Sequence, residues 1–131
     1  MAVRLGGEEF MLVCRESDIE QGPRIAERLR QSIASHCFST QQADIQLTCS
    51  IGYLSCELVD PELLEDNLER IMKLADMALY AAKHSGRDGW IGLDCSVTDS
   101  PCFPDSLPHL KEKLAGQQIR VCSSTEQITW C

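Results

Sequence analysis

Two adjacent glycines set between short apolar runs, in "VRLGGEEFMLV", are the tightest constraint this chain places on its own folding. Glycine reaches the positive φ angles of tight hairpin turns at no steric cost. Gly6 and Gly7 therefore predict a β-hairpin, with Val3 to Leu5 as one arm and the apolar run Phe10 to Cys14 as a second, buried strand. The bare backbone at the turn also lets a ligand approach closely. Glu8 and Glu9 follow at once and place adjacent carboxylates at the hairpin tip, on opposite faces if the strand begins there. Two carboxylates beside a glycine turn suit a hard cation such as Mg²⁺, and Mg²⁺ in turn invites phosphate. A hairpin whose exposed tip is merely acidic is the plain alternative.

The rest of the chain alternates helical and strand periods. From Pro23 to about His36, Ile25, Ala26, Leu29 and Ile33 fall at helical spacing, with Pro23 tolerated in the first turn. Ile45 to Tyr53 alternates apolar with polar or small residues, which predicts a strand with one buried face. "VDPELLEDN" reads as a loop with a helical turn. A longer helix is predicted over Asn67 to His84 from the stripe Leu68, Ile71, Met72, Ala75, Ala78, Leu79 and Ala82. Gly86 in "HSGRDG" ends it, and Trp90 to Leu93 closes as a strand. Strand, helix, strand, helix, strand points to an α+β sandwich with helices against a sheet. Beyond Asp94 the composition turns to Cys, Ser, Pro and Thr. That stretch, 94–131, reads as an appendage with a short helix near Leu107 to Leu114 and a strand near Ile119 to Cys122.

Composition narrows the partners. At 131 residues with a net charge of −8, the chain is one domain or part of one, and a nucleic-acid backbone or anionic membrane is excluded as its general partner. It carries neither an apolar run of membrane-spanning length nor a signal-peptide pattern, so a soluble, cytoplasmic chain is expected. The 8 cysteines include no CxxC pair, and Cys14 and Cys49 lie in apolar strand-like runs, which reads as structural free thiols. His36, His84 and His109 lack metal spacing. Ser50 in "CSIG" is not a nucleophile elbow. Arg24, Arg28 and Arg30 read as a solvated helix face.

Three motifs taken together resemble one family. "RLGGEEF" resembles the signature of the GGDEF family, the diguanylate cyclases, in its GGEEF form. "LTCSIGY", Leu47 to Tyr53, resembles the family's "ltvSiG" strand. "LADMALYAAKHSGRD", Leu74 to Asp88, resembles its "ADxALYxAKxxGRN" helix, with Asp88 where Asn is usual. The motifs stand in the family's order and cover Arg4 to Leu93, about two thirds of the chain.

The resemblance implies a palm-like, ferredoxin-like sheet related to nucleotidyl cyclases, on which helices pack. It implies condensation of two GTP molecules into cyclic di-GMP with Mg²⁺ or Mn²⁺, on a homodimer holding one GTP per site. By position in the motifs, Glu8 and Glu9 match the catalytic, metal-binding carboxylates, and Glu8 also matches a residue placed to help deprotonate the attacking 3′-hydroxyl. Gly6 and Gly7 match the turn beside the nucleotide, and Lys83 and Arg87 match the basic pair on the terminal phosphates. Independently, phosphoryl transfer is catalysed mainly by positioning and charge stabilisation. Lys83 and Arg87, four residues apart, can share a helix face and meet a polyphosphate together, although basic residues also favour a solvated helix end. Asp76 matches a structural position.

The chain departs from the family upstream. The family's first strand with its metal-binding Asp, the guanine-recognising side chains and the RxxD product-inhibition site would all precede Met1. The expectation is that residues 1–93 form the C-terminal part of a GGDEF domain whose N-terminal strand and helices are missing, inactive alone and with unpaired sheet edges. A parent protein with an upstream sensor or receiver domain, membrane-anchored or not, would supply the rest. A non-catalytic module that binds GTP or docks a partner is the alternative.

Overall fold

The computed structural model describes residues 1–14, 19–56, 61–95 and 103–130, and within its helices the side chains of Ile19, Pro61, Leu63 and Leu64 lie outside the description. The elements are strands β1 (Ala2–Gly6) and β2 (Glu9–Leu12), helix α1 (Gly22–Ala34) and strands β3 (Cys37–Ser39), β4 (Asp44–Gln46) and β5 (Ile51–Cys56). Helix α2 (Pro61–His84), strand β6 (Trp90–Cys95), helix α3 (Leu107–Ala115) and strand β7 (Arg120–Ser123) follow. The architecture is α+β, as the sequence predicts, but the strands form three separate sheets among the described residues: β1-β2, β3-β4 and β5-β6-β7.

The largest sheet organises the core. Strands β5 and β6 run parallel, in register from Ile51↔Trp90 to Cys56↔Cys95, and β7 joins β6 antiparallel. Parallel neighbours need a crossover, and α2 supplies it. Strand alternation turns Gly52, Leu54 and Cys56 of β5 and Ile91, Leu93 and Cys95 of β6 to the α2 side, where Leu74, Ala78, Ala81 and Ala82 complete one buried cluster. The opposite face carries Tyr53, Ser55, Trp90 and Gly92, and α1 lies against it through Gly22 and Glu27. The sheet is therefore covered on both sides, as parallel pairs require.

Helix α2 starts six residues earlier than the Asn67 predicted from the apolar stripe. Asp60-Pro61 suggests a break, yet proline suits the first helical turn, where its missing N–H costs nothing, so Pro61 starts the helix. Its buried face is Leu74, Ala78, Ala81 and Ala82, whereas Leu68 and Met72 of the predicted stripe are exposed. Helix α1 ends two residues before the predicted His36, closed by Ser35, whose hydroxyl donates to the Gln31 carbonyl at 2.8 Å.

The predicted strand Ile45 to Tyr53 divides in two. A turn held by Thr40, whose hydroxyl donates to the Ala43 carbonyl at 2.6 Å, folds β4 back on β3, while β5 pairs with β6. Ile45 and Leu47 are exposed in consequence. Residues beyond Asp94 enter the main core. Phe103, Leu110 and Ile119 belong to the same buried cluster as Leu74 and Leu93, and β7 lines the free side of β6. Arg120 of β7 donates to the Asp94 carboxylate, which is only 7% exposed and whose other oxygen has no partner among the described residues.

Among the described cysteines no disulfide forms. Cys14, Cys37 and Cys122 are exposed, Cys49 and Cys56 half-buried and Cys95 buried, while Cys102 and Cys131 lie outside the described residues. Cys14 thus differs from its predicted interior position, because β2 belongs to a two-stranded ribbon that the main sheet does not cover.

Candidate functional site

The glycine pair makes the predicted hairpin. Gly6 sits at φ 147° and Gly7 at φ 53°, a conformation L side chains resist, and a Cβ at either would meet nothing within 4 Å. The turn is closed by its own strand, since the Arg4 guanidinium donates to the Gly7 carbonyl at 2.7 and 3.2 Å. The termini of the ribbon are tied by Met1 and Val13, whose backbone groups exchange hydrogen bonds at 2.9 and 3.1 Å. The ribbon is not buried. Phe10 is 67% exposed and Leu12 50%, against the predicted interior strand. Val3, Leu5, Phe10 and Leu12 of the ribbon are all exposed.

Glu8 occupies the turn and Glu9 the first position of β2, opposite Gly6. The Glu9 carboxylate accepts a hydrogen bond from the Lys83 ammonium at 3.0 Å, across 74 residues of chain. The fold therefore brings together one acidic and one basic group of the predicted site, Glu9 and Lys83. Glu8 has no ion-pair partner among the described residues.

Lys83 lies in the last turn of α2, where the helix dipole favours a cation. Arg87 does not share its helical face, contrary to the four-residue spacing argument. The helix stops at His84, and Gly86, Arg87 and Asp88 follow at φ 110°, 60° and 39°. The Arg87 N–H reaches back to the Ala82 carbonyl at 3.2 Å, which satisfies one of the helix's last acceptors. Arg87 extends from this left-handed turn, with no ion-pair partner among the described residues. Asp76 is exposed and makes no polar contact with the hairpin or β5 among the described residues.

The model of the family described as "Diguanylate cyclase, GGDEF domain" matches residues 1–89. The chain belongs to that family. It is 36% identical over 85 residues to the diguanylate cyclase DgcP of Pseudomonas aeruginosa, covering 65% of this chain and 12% of that protein. It is 33% identical over 85 residues to a diguanylate cyclase of Vibrio cholerae, covering 65% of this chain and 24% of the relative. It is also 33% identical over 88 residues to the probable diguanylate cyclase DgcF of Escherichia coli K12, with coverage of 67% and 28%. The matched stretch thus spans less than a third of the length of these curated relatives. No solved structure matches it significantly.

Family membership puts the turn after α2 in context. Asp and Asn tolerate the left-handed region better than other non-glycine residues, so Asp88 serves at φ 39° where the family's Asn would. Asp88 then does what a neutral Asn could not, accepting from the Arg30 guanidinium at 2.8 Å as a full ion pair. Arg30 is no solvated side chain. It also grips Glu27 through two contacts at 2.8 and 3.0 Å, and Glu27 accepts the Trp90 indole N–H at 2.9 Å. The Arg30 contact, followed by those of Trp90 and Gln31, holds the Glu27 carboxyl down at about 2. These groups and Ser124 line a shallow cleft of about 400 Å³ that fastens α1 to the turn bearing Arg87. Sequence reasoning missed the cluster because its partners lie 58 and 63 residues apart, without periodic trace.

The donor set at the hairpin tip suits some metals and not others. No group of three His, Cys, Asp or Glu side chains gathers among the described residues, which leaves no closed site of the zinc or calcium kind. Two carboxylates on an open turn do fit Mg²⁺ or Mn²⁺, because Mg²⁺ keeps several waters and takes one or two carboxylates plus substrate phosphate. Among the described residues no helix is long and apolar enough to cross a membrane.

Proposed function

We propose that this chain carries the carboxylate and polyphosphate-binding portion of a diguanylate cyclase, which in the complete dimeric protein condenses two GTP molecules into cyclic di-GMP. The observation that carries this reading is the 3.0 Å contact of Lys83 with Glu9, which joins the glycine-turn carboxylates to the basic end of α2 in a chain of this family.

In the proposed reaction the 3′-hydroxyl of each GTP attacks the α-phosphorus of the other. A 3′-O–P bond forms, the α–β phosphoanhydride bond breaks and pyrophosphate leaves. Glu8 and Glu9 would hold Mg²⁺ or Mn²⁺, which when bound supplies Lewis-acid stabilisation of phosphoryl oxygens. Glu8, which has no ion-pair partner among the described residues, would draw the proton from the attacking hydroxyl. Gly6 and Gly7 leave the backbone open to the nucleotide, because nothing stands within 4 Å of where their Cβ atoms would be. Lys83 and Arg87 would take charge on the terminal phosphates, which serves a transition state that spreads negative charge over nonbridging oxygens.

The second GTP comes from a facing copy in this reading, and an upstream sensor or receiver domain of the parent protein controls the encounter in the cytoplasm. Two assays test it. Glu8→Ala in the full-length parent should abolish synthesis, and retained activity refutes the metal assignment. The isolated chain with GTP and Mg²⁺ should yield no cyclic di-GMP by chromatography, and product formation refutes the need for the remainder of the protein.

A further inference from the structure

The four charged side chains of the site are not equivalent. Glu8 and Arg87 stand without ion-pair partners among the described residues, whereas Glu9 and Lys83 neutralise each other at 3.0 Å. The pair is half-exposed, with side-chain exposures of 47% for Glu9 and 26% for Lys83, so solvent and solutes reach it. An ammonium bound to one carboxylate oxygen is bound as it would be to one nonbridging phosphate oxygen, since both are charge-assisted N–H···O contacts.

We infer that Glu9 is a positioning residue for Lys83, its carboxylate standing in for a phosphate oxygen and holding the ammonium at the hairpin tip until a polyphosphate replaces it. This rests on the reading that the tip and the end of α2 bind polyphosphate. Its consequence is specific: the resting site opposes a bare polyphosphate, because the anion must displace Glu9 from Lys83. A polyphosphate that arrives with a divalent cation offers Glu9 a new counter-ion in exchange, and the opposition disappears. Arg87, which has no such placeholder, is free to make the first contact.

The probe is inorganic triphosphate, titrated calorimetrically into the 131-residue chain in excess EDTA and again with Mg²⁺. An exposed ion pair of this kind sets the size of the effect, so in EDTA Glu9→Gln should bind triphosphate roughly two- to fivefold more tightly than wild type. Glu9→Asp should gain as well. It keeps the charge but reaches one methylene less, so a gain there separates the bridge from bulk charge. Lys83→Gln should bind more weakly, and Glu9→Gln combined with Lys83→Gln should bind no better than Lys83→Gln alone. A contact that served stability alone would produce no gain in any of these variants. Equal binding by wild type and Glu9→Gln, or a gain that survives removal of Lys83, overturns the inference while leaving the polyphosphate reading intact. Absence of binding by wild type and every variant, with or without Mg²⁺, overturns both together.

Discussion

Adding one methyl group at Gly52 should loosen the whole parallel unit. Gly52 lies on β5 under α2, and a Cβ there would stand 2.0 Å from the Leu79 nitrogen, 2.4 Å from the Ala75 carbonyl oxygen and 2.5 Å from the Leu79 Cα. All three are backbone atoms of a helix, so no rotamer change relieves the overlap. Ordinary contact demands that strand and helix part by more than an ångström, and a gap of about 0.5–1 Å already forfeits a quarter to a half of a dispersion contact. The contacts at risk are those of Leu74, Ala78, Ala81 and Ala82 on Leu93 and Ile91, which is most of the buried cluster. Overpacking typically costs about 1–3 kcal/mol, and a clash with helix backbone atoms that cannot rotate away belongs at or above the upper end. With a urea m-value of about 1–3 kcal/mol per molar, about 3 kcal/mol lowers the midpoint by roughly 1–3 M. Gly92→Ala is the internal comparison. Its Cβ would meet the Tyr53 ring at 1.9 Å, but a half-buried side chain can swing aside, so the loss should be smaller, about 1 kcal/mol. Urea unfolding followed by circular dichroism measures both. A Gly52→Ala midpoint equal to wild type, or higher than that of Gly92→Ala, refutes the reasoning.

Three further outcomes follow from the same geometry. Arg120→Met leaves the Asp94 carboxylate, 7% exposed, without its ion-pair partner; the cost should be about 2 kcal/mol, below that of a fully buried pair because the Arg120 side chain is itself 70% exposed, and an unchanged melting temperature contradicts it. Glu27 is held at about 2 against an ordinary 4.5, and a lowered carboxylate contributes stability that is present above 4.5 and lost as pH falls toward 2. The stability gap between wild type and Glu27→Gln should therefore be open near neutrality and close on acidification through that window, and a gap independent of pH in urea unfolding counts against the Arg30–Glu27 grip. Burial pushes the Cys95 thiol up to about 12, so alkylation at mildly alkaline pH followed by peptide mass spectrometry should label Cys14, Cys37 and Cys122 and spare Cys95 until the chain is denatured.

What could be read before folding was whatever has a local physical cause. The Gly6-Gly7 turn, helix α1, the body of α2 and β6 announce themselves through φ requirements and through periods of 3.6 and 2. The strand over 45–53 failed where two partners competed for one run of residues. Alternation does not say which partner a strand takes, and the Thr40 turn captures Ile45 for β3 while β6 takes Ile51. The burial of β2 was misjudged for a related reason. An apolar strand is buried only if another layer reaches it, and layers are long-range. Arg30 was misread because helical periodicity places a side chain on a face but cannot say what stands opposite that face.

The glycine of the SIG strand and the lysine proposed to bind phosphate both bear on one side of α2. Leu79, whose backbone rests on Gly52, precedes Lys83 by one helical turn, so both project from the same side of α2. The closeness of strand and helix at Gly52 therefore sets how far the end of α2 stands from the sheet, and with it where the Lys83 ammonium can reach. A retreat of about an ångström at Leu79 carries the last turn outward, and the flexible Lys83 side chain must re-extend to keep its 3.0 Å contact with Glu9. A glycine with no functional group of its own thereby bears on the placement of a lysine some thirty residues further along the chain.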